Sequence, residues 1–99
     1  ENISTVEVEQ AIVAHEAVLE AAVIGVPDEK WGEAVKAVVS LEGEASESDL
    51  ISFARERLAG YKCPKRIDFV DALPRTATGK IQKFVLRAPF WDALERKVN

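Results

Sequence analysis

Residues 18–26 and 35–41 form two apolar runs rich in β-branched side chains, and the first of them stops at Pro27-Asp28. Apolar residues at successive positions, without strict alternation, read as strands covered on both faces. Between them, Pro27-Asp28-Glu29-Lys30-Trp31-Gly32 is a turn-forming stretch too short to hold a crossover helix, so the two strands must pair antiparallel. A hairpin of that kind needs other elements laid over it.

The rest of the chain supplies them. Ser4 and Glu7 have the spacing of a capping box and open a helix whose inner face is Val8, Ala11, Ile12 and His15, with Glu7, Glu9 and Gln10 turned outward or toward the positive N-terminus. Ser46 and Asp49 open a second helix with an apolar stripe of Leu50, Phe53, Ala54 and Leu58; Gly60 suits a C-terminal cap and Pro64 forbids continuation, so it should end near Ala59. Residues 66–70 alternate enough for a short third strand with Ile67 and Phe69 on one face. Phe84, Val85, Leu86, Phe90, Trp91 and Leu94 then give a last amphipathic helix that Pro89 should break or kink. The expected fold is α+β: a small three-stranded sheet, its first two strands an antiparallel hairpin, packed with about three helices in the order α-β-β-α-β-loop-α. Residues 1–99 are read as a single domain.

A domain of 99 residues has a modest core and cannot enclose a deep pocket unaided, so a function that needs a buried substrate must be shared. No apolar run approaches membrane-spanning length and no basic, apolar leader is present, so a soluble, cytoplasmic chain is expected. One cysteine, Cys63, and one histidine, His15, exclude an internal disulfide and leave no basis for a metal cluster; packing roles fit both. Charge is divided unevenly. Residues 1–50 carry twelve acids against two bases, and residues 51–99 eleven bases against five acids. The basic half suits a phosphate-bearing ligand. With an overall charge of −4 and no nucleic-acid module, a nucleotide or cofactor phosphate fits better than nucleic acid.

Within that half, Pro74-Arg75-Thr76-Ala77-Thr78-Gly79-Lys80-Ile81-Gln82-Lys83 combines a proline, two hydroxyls and a glycine ahead of a lysine. No ordered element is expected between Arg75 and Gly79, and Lys80 sits at the exit of a mobile turn. A flexible stem with a compact charge suits a lysine that reaches an anion held elsewhere, although these ten residues alone also describe a solvated surface lysine. It is not a phosphate-binding P-loop: Ile81 follows the Gly-Lys pair where Ser or Thr is needed, and no glycine lies five residues before Gly79.

Four segments in order resemble one family. Glu1-Asn2-Ile3-Ser4 with Val6-Glu7-Val8-Glu9 is similar to the tail of a hinge-side motif, and residues 23–33, including Pro27-Asp28-Glu29-Lys30-Trp31-Gly32, resemble a hairpin of acyl-CoA ligases. Tyr61-Lys62-Cys63-Pro64-Lys65 and Leu73-Pro74-Arg75-Thr76-Ala77-Thr78-Gly79-Lys80 match the family's two later signatures. Over essentially all 99 residues the chain resembles the C-terminal lid domain of adenylate-forming enzymes, a group that includes acyl-CoA synthetases, nonribosomal peptide synthetase adenylation domains and luciferases, and the acyl-CoA ligases most.

The resemblance implies an AMP-forming acid–thiol ligase. ATP and Mg2+ would be bound mainly by a large N-terminal adenylation domain that this chain lacks, and coenzyme A would be the second substrate. Lys80 would be the catalytic cation for acyl-adenylate formation, with Pro74, Thr78 and Gly79 supporting its loop. After rotation about a hinge, Trp31, Tyr61, Lys62, Cys63, Lys65 and Arg66 would fall near the coenzyme's nucleotide end. Cys63 stands where some relatives carry arginine, which moves the expected phosphate contact to its basic neighbours. A protein lysine acetyltransferase acting on Lys80 is a further implied partner, because acetylation would remove the charge. The isolated domain is expected to be inactive. Two other readings stay open: a free-standing phosphate-binding or interaction module without catalysis, and the lid of a peptide-synthetase adenylation domain. For Trp31, a ring folded back over the sheet edge competes with an exposed contact.

Overall fold

The computed structural model describes residues 4–98; Glu1, Asn2 and Ile3, which carry part of the hinge-side resemblance, lie outside them. The elements are α1 (Thr5–Val13), β1 (Val18–Asp28), β2 (Gly32–Leu41), α2 (Glu47–Arg55), a 3-10 turn (Gly60–Lys62), β3 (Arg66–Phe69) and α3 (Lys83–Val98). β2 is the middle strand, antiparallel to β1 and parallel to β3. The expected hairpin is present and reaches further at its tip. β1 continues through Pro27, which an edge strand accommodates, and pairs Asp28 with Gly32. Gly32 has φ +81°, a conformation that a side chain would resist, and the Asp28 carboxylate accepts from the amides of Lys30 and Trp31 at 2.9 Å each.

Alternate residues of the sheet face two separate apolar clusters. Ala21, Val23, Ala37, Val39 and Ile67 meet Val8, Ala11 and Ile12 of α1 and Leu50 and Ala54 of α2. On the opposite face Ala22, Ile24 and Val38 meet Leu73, with Ile81 and with Leu86 and Phe90 of α3 packed against them. Trp91 fixes α3 to the sheet, its indole N–H donating to the Gly25 carbonyl at 2.9 Å. Ser4 and Ser46 cap α1 and α2 as expected; at Ser46 the box is reciprocal, with Asp49 returning a bond to the Ser46 amide.

Five details differ from the sequence expectation. α2 ends at Arg55, and the amides of Arg57 and Leu58 both turn back to the Ala54 carbonyl, so Gly60 opens the 3-10 turn rather than capping the helix and has no positive φ. α3 runs unbroken through Pro89, where the position is exposed and water can serve the carbonyl that loses its amide partner. Phe69, at the end of a short edge strand, is 42% exposed instead of lying beside Ile67 in the core. Glu9 is turned inward: its carboxylate accepts from the Val23 amide at 2.7 Å on the open edge of β1 and pairs with Lys83 at 2.7 Å. Trp31 is not folded over the sheet and is 65% exposed.

Leu50 is fully buried where α2 meets the sheet. Leu50→Ala should cost about 2–5 kcal/mol in urea unfolding, through lost transfer energy and the cavity left behind. Glu47, in the first turn of α2, accepts from the Ile67 amide at 2.7 Å and from Arg66 Nε at 3.0 Å, and these contacts, the amide first, hold its carboxyl below the usual range. A carboxyl with a depressed folded pKa adds stability above its unfolded value, here near 4.5, and that contribution fades as pH falls through the folded value. The stability gap between wild type and Glu47→Gln should therefore be present at about pH 7 and shrink at about pH 3, read by urea unfolding at each pH.

Candidate active site

The segment before α3 is more ordered than its composition suggests. Arg75 and Ile81 form an antiparallel bridge that closes the loop at its base, and the Gln82 amide donates to the Pro74 carbonyl at 2.8 Å. Inside, the Thr76 amide donates to the Lys80 carbonyl at 2.8 Å and the Gly79 amide to the Thr76 carbonyl at 2.9 Å. The Lys80 amide donates to Thr76 Oγ1 at 3.1 Å, and that hydroxyl is 3.0 Å from Thr78 Oγ1. Gly79 has φ +92°, which explains glycine directly before the lysine. Outside, the Arg75 guanidinium donates to the Gly79 carbonyl and pairs with Glu20 of β1. Leu73 and Ile81, on either side of the loop, are anchored in the cluster beneath α3. The Lys80 side chain emerges from this base exposed, and among the described residues its ammonium has no hydrogen bond or ion pair.

The other candidate residues are dispersed. Trp31 stands at the hairpin tip with the Lys30 ammonium 5.1 Å and the Lys65 ammonium 5.8 Å from its ring centre. Tyr61 is 58% exposed on the 3-10 turn, and Lys62, beside its ring, pairs with Glu7 of α1 at 2.9 Å. Arg66 is tied to Glu47. Cys63 lies inward, with its thiol in the cluster below α1 and α2 and directed at the Ala59 carbonyl at 3.7 Å; burial pushes that thiol up from its ordinary pKa. The structure thus joins Trp31 to Lys65 and separates both from the Cys63 side chain. The basic turn and the lysine loop are rooted in opposite faces of the sheet, through Cys63 and Leu58 on one side and Leu73 and Ile81 on the other.

Between the hairpin and α3 lies an open groove of about 620 Å3, lined by Val26, Val35 and Phe90 together with Lys36, Lys65 and Arg66. Lys36 sits over the Phe90 ring at 4.3 Å and pairs with Asp68 at 2.9 Å. Sequence reading did not single out Lys36 or Phe90 for this groove, nor a role for Thr76, Arg75 or Glu20 in holding the lysine loop. Glu20 did leave a signal, as the only acid between Val18 and Val26 in an otherwise apolar strand.

The sequence matches the family described as the AMP-binding enzyme C-terminal domain over residues 7–80. It is 52% identical over 91 residues to the benzoate–CoA ligase of Thauera aromatica, covering 87% of this chain and 17% of that protein. It is 45% identical over 101 residues to the fatty acid–[acyl-carrier-protein] ligase ScoC of Streptomyces coeruleorubidus, covering all of this chain and 20% of that protein. The solved Mycobacterium tuberculosis fatty acyl CoA synthetase superposes with a TM-score of 0.86 at 46% identity, over 91% of this chain and 18% of that one. The chain therefore spans a fifth or less of each of these relatives.

If the Thr76 hydroxyl holds the lysine's amide, Thr76→Val should release it and Thr76→Ser should keep it. A net hydrogen bond of about 1 kcal/mol corresponds to about fivefold faster amide exchange at Lys80 in the valine variant, measured by hydrogen–deuterium exchange.

Proposed function

Because the chain belongs to the AMP-binding enzyme C-terminal domain family, we propose that it is the lid of an AMP-forming acid–thiol ligase and that Lys80 is its catalytic cation. The observation that carries this reading is the contrast within the loop. Its backbone is fastened at Thr76, Gly79 and Lys80, while the Lys80 ammonium that leaves it is exposed and has no partner among the described residues. Such a base keeps a cation aimed without a competing ion pair.

When a carboxylate attacks the α-phosphate of ATP, negative charge builds on the phosphate oxygens as pyrophosphate leaves. Lys80 would place its ammonium between the carboxylate and phosphate oxygens and bring the two anions together. Mg2+, the acid and most contacts to ATP would belong to an N-terminal adenylation domain. Among the described residues no group of three or more His, Cys, Asp or Glu is placed to hold a metal ion. Residues 1–99 would act as one unit that turns about a hinge between the two half-reactions. After the turn, Trp31 and Lys65 would meet the nucleotide end of coenzyme A, with Tyr61, Lys62 and Arg66 supplying surface and charge nearby. Cys63 would support that edge from within the core rather than touch the ligand.

The likeness to a carrier-protein ligase favours a second acceptor reading, in which the thiol is carried by a protein instead of coenzyme A. A cytoplasmic setting fits either acceptor, and no described helix is long and apolar enough to cross a membrane. Acetylation of Lys80 by a protein lysine acetyltransferase would abolish adenylation by removing the ammonium.

The test uses the full-length protein that carries this chain. Lys80→Ala should lower acyl-adenylate formation at least about 100-fold, the scale for loss of one aimed transition-state donor, when followed by carboxylate-dependent ATP–pyrophosphate exchange. A wild-type exchange rate in that variant would remove Lys80 from catalysis and favour the phosphate-binding module. Supplying coenzyme A and a carrier protein separately, and measuring the thioester each yields, distinguishes the two acceptors.

A further inference from the structure

The peptide unit between Gly79 and Lys80 is held at both polar atoms, its N–H by Thr76 Oγ1 and its carbonyl by the Arg75 guanidinium. The two restraints differ in where they are anchored. Thr76 belongs to the loop and moves with it. Arg75 also pairs with Glu20 on β1, a strand whose pairing with β2 runs nearly its whole length, so the guanidinium connects the lysine's own peptide plane to the sheet. Glycine at φ +92° has backbone freedom that other residues lack, and a change of its φ and ψ would redirect the Cα–Cβ bond of Lys80.

From this geometry we propose that Arg75, braced by Glu20, is a positioning residue for Lys80. It fixes the orientation of the Gly79–Lys80 peptide against β1 and so the direction in which the ammonium leaves the loop. Arginine suits the task because one planar fork can serve two acceptors at once, whereas a lysine there serves them only as a point charge. The inference rests on the reading of Lys80 as the adenylating cation and adds the element that aims it.

The experiment compares Arg75→Ala, Arg75→Lys, Glu20→Gln and Lys80→Ala in the full-length protein. Acyl-adenylate formation is measured in single turnover, and acyl transfer to thiol is measured separately from supplied acyl-adenylate. Exchange of the amides in residues 74–82 is followed by mass spectrometry. Arg75→Ala should lower the adenylation rate constant by about 10- to 100-fold, the cost of a misplacement near 1 Å, with the KM for ATP within about twofold. Thiol transfer should be unchanged, and exchange in residues 74–82 should rise. Arg75→Lys should recover part of the rate, and Glu20→Gln should show a smaller loss in the same half-reaction. An unchanged adenylation rate in Arg75→Ala beside a large loss in Lys80→Ala would overturn the positioning role and leave Lys80 in place. Equal loss of both half-reactions in Arg75→Ala and Glu20→Gln would also overturn it, since that marks a general structural role. A full adenylation rate in Lys80→Ala would overturn the underlying reading and this one with it.

Discussion

β2 is the constraint on which everything else depends. It alone touches both other strands, antiparallel on one side and parallel on the other, and its successive residues alternate between the two clusters, Ala37 and Val39 in one and Val38 in the other. A strand apolar on both faces has to be covered on both, so the chain must send helices to each side. The parallel pairing with β3 forces a crossover, which α2 and the 3-10 turn provide. Beyond β3 the chain must then cross the opposite face, and that return path is the lysine loop and α3. The position of Lys80 is thus a topological result before it is a chemical one.

The charge asymmetry of the sequence has a different outcome from the one its composition suggests. Among the described residues, Glu7, Glu9, Glu20, Glu33 and Glu47 of the acidic half pair with Lys62, Lys83, Arg75, Arg87 and Arg66 of the basic half. Such pairs at a half-exposed surface each add little to stability, because solvent screens them. Much of the positive charge is therefore used within the fold. Lys65 and Lys80 lie outside these pairs, as do Arg55, Arg57 and Arg96, so the surface able to meet an anion is smaller than a count of bases implies.

Patterns that depend on near neighbours were legible in the sequence: the two-faced hairpin, the caps at Ser4 and Ser46, and the Gly79-Lys80 turn all derive from residues within a few positions of one another. Features set by contacts across the chain were not. The inward turn of Glu9 depends on Val23 and Lys83. The order within the lysine loop was missed because composition rich in Thr and Gly describes equally a free turn and a hydrogen-bonded one; the bridge from Arg75 to Ile81 and the reach to Glu20 decide between them. Trp31 and Lys65, far apart in the chain, do lie together, with the Lys65 ammonium 5.8 Å from the indole ring centre. For Cys63, the packing role expected of a lone cysteine is what the fold shows.

The rooting of the basic turn and the lysine loop on opposite faces of one sheet carries a mechanical consequence. Ala37 and Val39 support the basic turn's side and Val38 the lysine loop's side, so adjacent residues of a single strand serve as foundations for both. With barely a peptide's thickness between them, neither face can be enlarged, hollowed or melted without the other registering the displacement. The two turns are therefore tied as the opposite ends of a rigid lever are tied, and any drift in sequence on one side of β2 is answerable to the other.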